Sequence, residues 1–152
     1  MLYNNRMTIT KSDIWHADFH KSSELYKPIV HAFNKLKHNK THWPGLLEFQ
    51  ALMTSCSAPI FNNQQKRIQF VEQATQCNTF EDQYEPRIFL KGEVQTRLNN
   101  WHDFFQVLVW HTFPKTKVAL NTLHYHASTK RLKENDANTQ RTSAENFLTL
   151  FD

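Results

Sequence analysis

The chain has 152 residues, among them 12 Phe, 4 Trp and only 2 Gly, and 18 Lys and Arg against 14 Asp and Glu leave a net charge of +4. That length suits one domain with a real core, and so few glycines argue against a glycine-rich phosphate loop or a turn-dense β-sandwich. With no GxGxxG, GxxxxGK or GxSxG in the chain, dinucleotide, P-loop and α/β-hydrolase chemistries lose their usual signatures.

The opening MLYNNRMTIT lacks the apolar core of a signal peptide, and no apolar run reaches the roughly 20 residues of a membrane span. Cys56 and Cys77 are far apart and in no CxxC, so reduced thiols and a cytoplasmic location are expected. Residues 1–20 read as an N-terminal arm in which Ile14, Trp15 and Phe19 belong to a short helix or an anchoring segment, and 21–152 as a single domain. Ser22 or Ser23 caps a helix to about Lys37, in which Leu25, Ile29, Ala32, Phe33 and Leu36 keep helical spacing. Pro28 falls near its first turn, where a missing N–H is tolerated. After a polar break at His38–His42, Leu46–Thr54 reads as a short helix with Leu46, Leu47, Phe49 and Leu52 available for burial. Alternation over Arg67–Glu72 predicts a strand with Ile68 and Phe70 on one side. Tyr84–Val94 reads as a second extended segment, kept off a central position by Pro86. In a strand, Glu85 and Arg87 would share a side.

The densest aromatic run follows. Asn99 or Asn100 is a suitable N-cap, and Trp101–Phe113 is apolar nearly all round, the mark of a buried helix. His102, Asp103 and Gln106 fall within one arc, and His111 points the other way. Asp103 suits the positive end of the helix dipole. Pro114 fits the first position of a new helix, expected from about Lys115 to Ala127. Ala119, Leu120 and Leu123 form its expected apolar face, and Lys117, Asn121 and His124 recur at i, i+4 and i+7 as a polar stripe. The short corner makes the two helices neighbours, so their polar stripes can meet. Ser128–Thr142 reads as a long polar loop, and Ser143 caps a last helix with Phe147, Leu148, Leu150 and Phe151 turned inward. The fold class expected is α+β, predominantly helical, with two short strands or extended segments.

Asn100-Trp101-His102-Asp103, Val109-Trp110, Thr112-Phe113-Pro114, Lys117, Ala119-Leu120-Asn121 and His124 together resemble the signature of the bacterial domain-of-unknown-function family 3025. The resemblance extends upstream through Phe70-Val71, Tyr84-Glu85, Arg87-Ile88, Gly92 and Thr96-Arg97, and downstream to Leu148–Asp152. Gln106 stands where the family pattern has Asn, Glu145-Asn146 where it has a basic residue and Asp, and His111 where an apolar residue is usual. Family members continue beyond the LTLFD segment, so the chain is expected to be a C-terminally truncated member. The resemblance implies no activity, only that these polar residues recur.

His102, Asp103 and His124 are the candidate catalytic residues, because an imidazole acts as base or ligand near neutral pH and a carboxylate orients it. Asp152 is placed to close the group. Glu85, Arg87, Arg97, Gln106, Lys117 and Asn121 are the candidate ligand contacts, Arg87 and Arg97 as an anion grip. Two His with a carboxylate also suit zinc or iron. No HExxH supports this, however, and His16 and His20 at i, i+4 are only a weak second pair, so no cofactor is specified. The same residues also read as a structural network in which Asp103 bonds Arg97 and Asn121 ties a loop. The leading expectation is a pocket for a small polar or anionic ligand, with hydrolytic or metal-assisted chemistry as its stronger form. The rival is a structural or nucleic-acid-associated module that uses the basic Lys115–Arg141 run.

Overall fold

The computed structural model describes residues 14–36, 41–75, 79–133 and 143–149. Six helices and a two-stranded parallel sheet make up its regular structure: α1 (Lys27–Lys35), α2 (Leu46–Thr54), β1 (Gln69–Glu72), α3 (Tyr84–Lys91), β2 (Glu93–Thr96), α4 (Trp101–Thr112), α5 (Pro114–Lys133) and α6 (Ser143–Thr149), with short 3-10 turns at Phe19–Lys21, Glu24–Tyr26 and Phe80–Asp82. The fold is α+β and mostly helical, as expected.

The core forms around α4. Phe104, Val107, Leu108 and Trp110 are fully enclosed and meet Phe33 of α1, Phe49 and Leu52 of α2, Ile68, and Phe70 and Val94 of the sheet. Burial of this apolar stripe is what stabilises so short a helix, since isolated helices under about 12–15 residues are marginal in water. An aromatic cluster covers its N-terminal end. Trp15 stacks on Trp101 with ring centroids 5.2 Å apart, and Phe19 meets Trp101, Phe104 and Phe105 edge-on at 5.4, 5.7 and 5.4 Å. The segment beginning at Ile14 is therefore anchored to the core by its aromatic residues.

Parallel strands need a crossover of a dozen or more residues. Residues 73–92 supply it, and β1 pairs with β2 in the register Gln69 to Glu93, Phe70 to Val94, Val71 to Gln95 and Glu72 to Thr96. Tyr84–Lys91 within that crossover is helical, not extended as the sequence suggests; only Glu93 and Val94 of the expected segment are strand. The physical reason lies in two residues. Pro86 sits in the first helical turn, where its ring and missing N–H cost little. Gly92 ends the helix in the left-handed region at φ 76°, and a Cβ there would lie 2.3 Å from the Arg67 carbonyl oxygen. Asn62 fastens the same helix end: its amide nitrogen donates to the Ile88 and Phe89 carbonyls, 2.7 Å each, and its oxygen accepts from the Gln64 and Lys66 N–H groups, 2.9 Å each.

α5 departs most from expectation. Its expected apolar residues Ala119 and Leu123 are exposed and Leu120 is half-buried, whereas Lys117, Asn121, His124 and Ser128 are buried. The neighbouring helices offer polar partners, so the polar stripe, not the leucines, faces inward. The helix also runs past Ala127 to Lys133, its last turn carrying Lys130, Arg131 and Lys133, charges that suit a helix C-terminus. Residues 134–142 of the expected loop lie outside the described residues. Leu25 and Leu47, expected to be buried, are 87% and 85% exposed. Leu25 belongs to the 3-10 turn capped by Ser23 ahead of α1, where the helical spacing no longer applies. Phe147 of α6 is likewise exposed, and Leu150 and Phe151 lie outside the described residues.

Candidate functional site

Arg97 leaves β2 and the chain turns at once into α4. Asn100 is extended, and its side-chain oxygen accepts from the Asp103 N–H at 3.1 Å, the N-cap that the sequence predicts. This fixes Asp103 in the first turn with its carboxylate turned back on the incoming strand. Oδ2 accepts from the Arg97 backbone N–H at 2.7 Å and from its Nε at 3.0 Å, and Oδ1 accepts from Arg97 Nη2 at 2.9 Å. His102 Nδ1 lies 2.9 Å from the same Oδ1.

Burial by itself would raise the Asp103 pKa. The Arg97 and His102 side chains, the Arg97 backbone N–H and the guanidinium charge outweigh it and hold the carboxyl below its usual range. An ionised carboxylate only accepts, so His102 Nδ1 is the donor and Nε2 remains as the ring's acceptor. The His102 side chain is 68% exposed. It is not part of a buried stripe: in the first turn of α4 it points to solvent while Trp101, Asp103 and Phe104 turn inward.

His102, Asp103 and Arg97 line a cleft of about 350 Å³ together with Gln73, Gln83, Tyr84 and Gln95. Gln95 is held across it, accepting from the Ala74 N–H at 3.0 Å and donating to the Asp82 carbonyl at 3.0 Å. The lining, which also includes Asp82, is thus an imidazole, a guanidinium, a phenol and three amides beside two carboxylates, suited to a polar, hydrogen-bonding ligand.

The other candidates are distributed differently. Lys117 Nζ donates to Gln106 Oε1 at 2.7 Å in the α4–α5 interface and lies 5.5 Å from the Trp110 ring centroid. Asn121 Nδ2 donates to the Glu85 carbonyl at 2.9 Å and to its carboxylate at 2.6 Å, tying α5 to α3. Arg87 pairs with Glu93 at 2.7 Å, so it does not form the expected anion grip with Arg97, which is engaged by Asp103. On the helix α3, Glu85 and Arg87 do not share a side as they would in a strand. His124 is buried on the inner face of α5 and is not among the residues lining the cleft. Among the described residues no three His, Cys, Asp or Glu side chains are grouped to hold a metal ion, so His102, Asp103 and His124 form no such set. Asp152 lies outside the described residues. Lys117 is also lost to the expected basic surface. Lys115 and Lys130, both exposed, are 15 positions apart on α5, about 22 Å at helical rise, and Arg141 lies outside the described residues.

A family model described as "Protein of unknown function (DUF3025)" matches residues 68–152, more than half of the chain. The chain belongs to the DUF3025 family. No curated protein and no solved structure matches it. Every residue that lines the cleft falls within the DUF3025 segment. Among the described residues of this DUF3025 member, no helix is long and apolar enough to cross a membrane. Gln73, Gln83 and Gln95 of its cleft escaped sequence reasoning. The only signal for Gln95 is its place between the buried Val94 and Thr96, which turns it away from the core.

Proposed function

We propose that this DUF3025 chain binds a small polar ligand in the cleft at the N-terminus of α4, with His102 as the group that exchanges a proton with it. The observation that carries this reading is the pairing of an exposed imidazole with a buried, ionised carboxylate at 2.9 Å. Asp103 fixes the ring orientation, and Nε2 takes a proton from a hydroxyl or a water in the cleft. Arg97 holds Asp103 in place, and its outward guanidinium edge favours a ligand with negative charge. A hydrolytic or metal-assisted step is the enzymatic form of this proposal. Gln106, Lys117, Asn121 and Glu85 act on the packing of α3, α4 and α5 behind the cleft.

The test is a thermal-shift screen of amino acids, dicarboxylates, nucleosides and sugar phosphates, with and without divalent metals, against the chain and its His102→Ala variant. A compound that raises the melting temperature of the parent and not of the variant supports the reading. Equal shifts in both proteins for every compound that binds would refute it.

A further inference from the structure

A second cavity, larger than the cleft, lies elsewhere on the described residues. It holds about 760 Å³ and opens at the proline corner between α4 and α5, under the chain that leaves α2. That volume is typical of small-molecule sites, which span about 300–1,000 Å³. The larger part of its wall is apolar, with Ile60 and Phe61 from the segment after α2 and Val118 from the first turns of α5, beside the polar Ser57, Asn63 and Thr112. Its charged lining is all of one sign. Lys35, at the end of α1, and Lys115, at the start of α5, both face it, and no Asp or Glu does. Among the described residues neither lysine forms an ion pair, although five other cationic side chains do. The start of α5 adds the positive end of a 20-residue helix. His111, also in the lining, registers the same field: burial pushes its pKa down, and the charges of Lys35 and His31 push it further. Two exposed lysines from elements far apart in sequence thus border one partly apolar hollow that no carboxylate lines.

We infer that this cavity is a second ligand site, distinct from the cleft at His102, and that it takes an organic carboxylate with an apolar body. The head group is held by Lys35 and Lys115, and the body lies against Ile60, Phe61 and Val118. Such a ligand supplies the missing counter-charge and covers apolar surface in one step, which neither a bare inorganic anion nor a neutral hydrocarbon does. Cys56 lines the cavity as well, but burial raises its thiol pKa, so it serves as wall and not as nucleophile.

The experiment is titration of the full chain with octanoate, read by calorimetry and by amide chemical shifts, with acetate and octan-1-ol as the headgroup-only and body-only controls. Saturable binding is expected, with shifts concentrated in Ser57–Phe61 and Lys115–Ala119 and with affinity at least about tenfold above either control, the equivalent of one charge-assisted contact. Lys35→Met with Lys115→Met should lower the affinity by about tenfold or more on the same grounds. Ala119→Trp, which fills the cavity from an exposed position without touching the core, should abolish binding and leave the melting temperature unchanged. His102→Ala should bind octanoate like the parent, and this separates the inference from the cleft reading. Octanol binding as well as octanoate, or the lysine variant binding undiminished, overturns the proposal. So do shifts centred on the His102 cleft, and so does an absence of saturable binding.

Discussion

Arg97 grips Asp103 twice, once through its backbone N–H at 2.7 Å and once through its guanidinium at 2.9 and 3.0 Å. These three bonds from the backbone and side chain of Arg97 couple the end of β2 to the first turn of α4. They also fix the carboxylate whose Oδ1 meets His102. Structural and chemical roles therefore fall on neighbouring residues and can be separated by mutation.

Asp103→Ala should cost about 2–3 kcal/mol of unfolding free energy in urea, because hydrogen bonds to charged groups contribute about 1.5–3 kcal/mol and the buried carboxylate accepts from both the backbone and the guanidinium of Arg97. His102→Ala removes an exposed ring and should cost less than about 1 kcal/mol, the range of exposed pairs. A His102→Ala loss as large as that of Asp103→Ala would assign the pair to stability alone.

Acidification should destabilise the protein in two steps. The folded state disfavours the His111 imidazolium, so the unfolded chain binds the extra proton and stability falls as pH drops below about 6.5. The folded state favours ionised Asp103, so its contribution is full above an unfolded value of about 3.9 and is lost as pH falls through the folded value. His111→Gln should flatten the melting-temperature profile between about pH 7 and 5 relative to the parent, and Asp103→Asn should flatten only its more acid limb.

The C-terminal end of α3 is a second sensitive point. Gly92→Ala places a Cβ against the Arg67 carbonyl in the left-handed region and should cost at least about 2 kcal/mol, given that strained backbone conformations cost about 1–3 kcal/mol before any clash. Asn62→Ala should cost a similar amount, about 2–4 kcal/mol, since two helix-end carbonyls and two loop N–H groups each lose a hydrogen bond. Chemical denaturation of both variants checks this.

Lys117 and Gln106 should be energetically coupled. A double-mutant cycle with Lys117→Met and Gln106→Leu should give an interaction energy of about 1–2 kcal/mol, within the range for contacting residues. Additive single effects would show that the 2.7 Å bond contributes nothing of its own.

The chain's local chemistry determined much of this. Asn100 as cap, the apolar run to Thr112, the Pro114 restart and the Leu46–Thr54 helix all follow from short-range rules of capping, proline placement and spacing, and they appear at those places. Ile68 and Phe70 entering the core from one side of a strand is legible for the same reason. The Asp103–Arg97 bond was within reach too, because six residues separate the partners and a cap holds one of them.

Only the tertiary structure decided the rest. Tyr84–Lys91 carries signals for both strand and helix, and the helix prevails where Asn62 and the Arg67 carbonyl close on its end. Whether α5 buries Leu123 or Lys117 depends on what waits across the interface. Gln106 and Glu85 wait there, from positions 11 and 36 residues away, and a polar face with partners is as buriable as an apolar one. Which imidazole meets a carboxylate, and which lysines meet none, are likewise facts of position in space. Periodicity ranks the faces of one helix; burial is set by the complementarity of two.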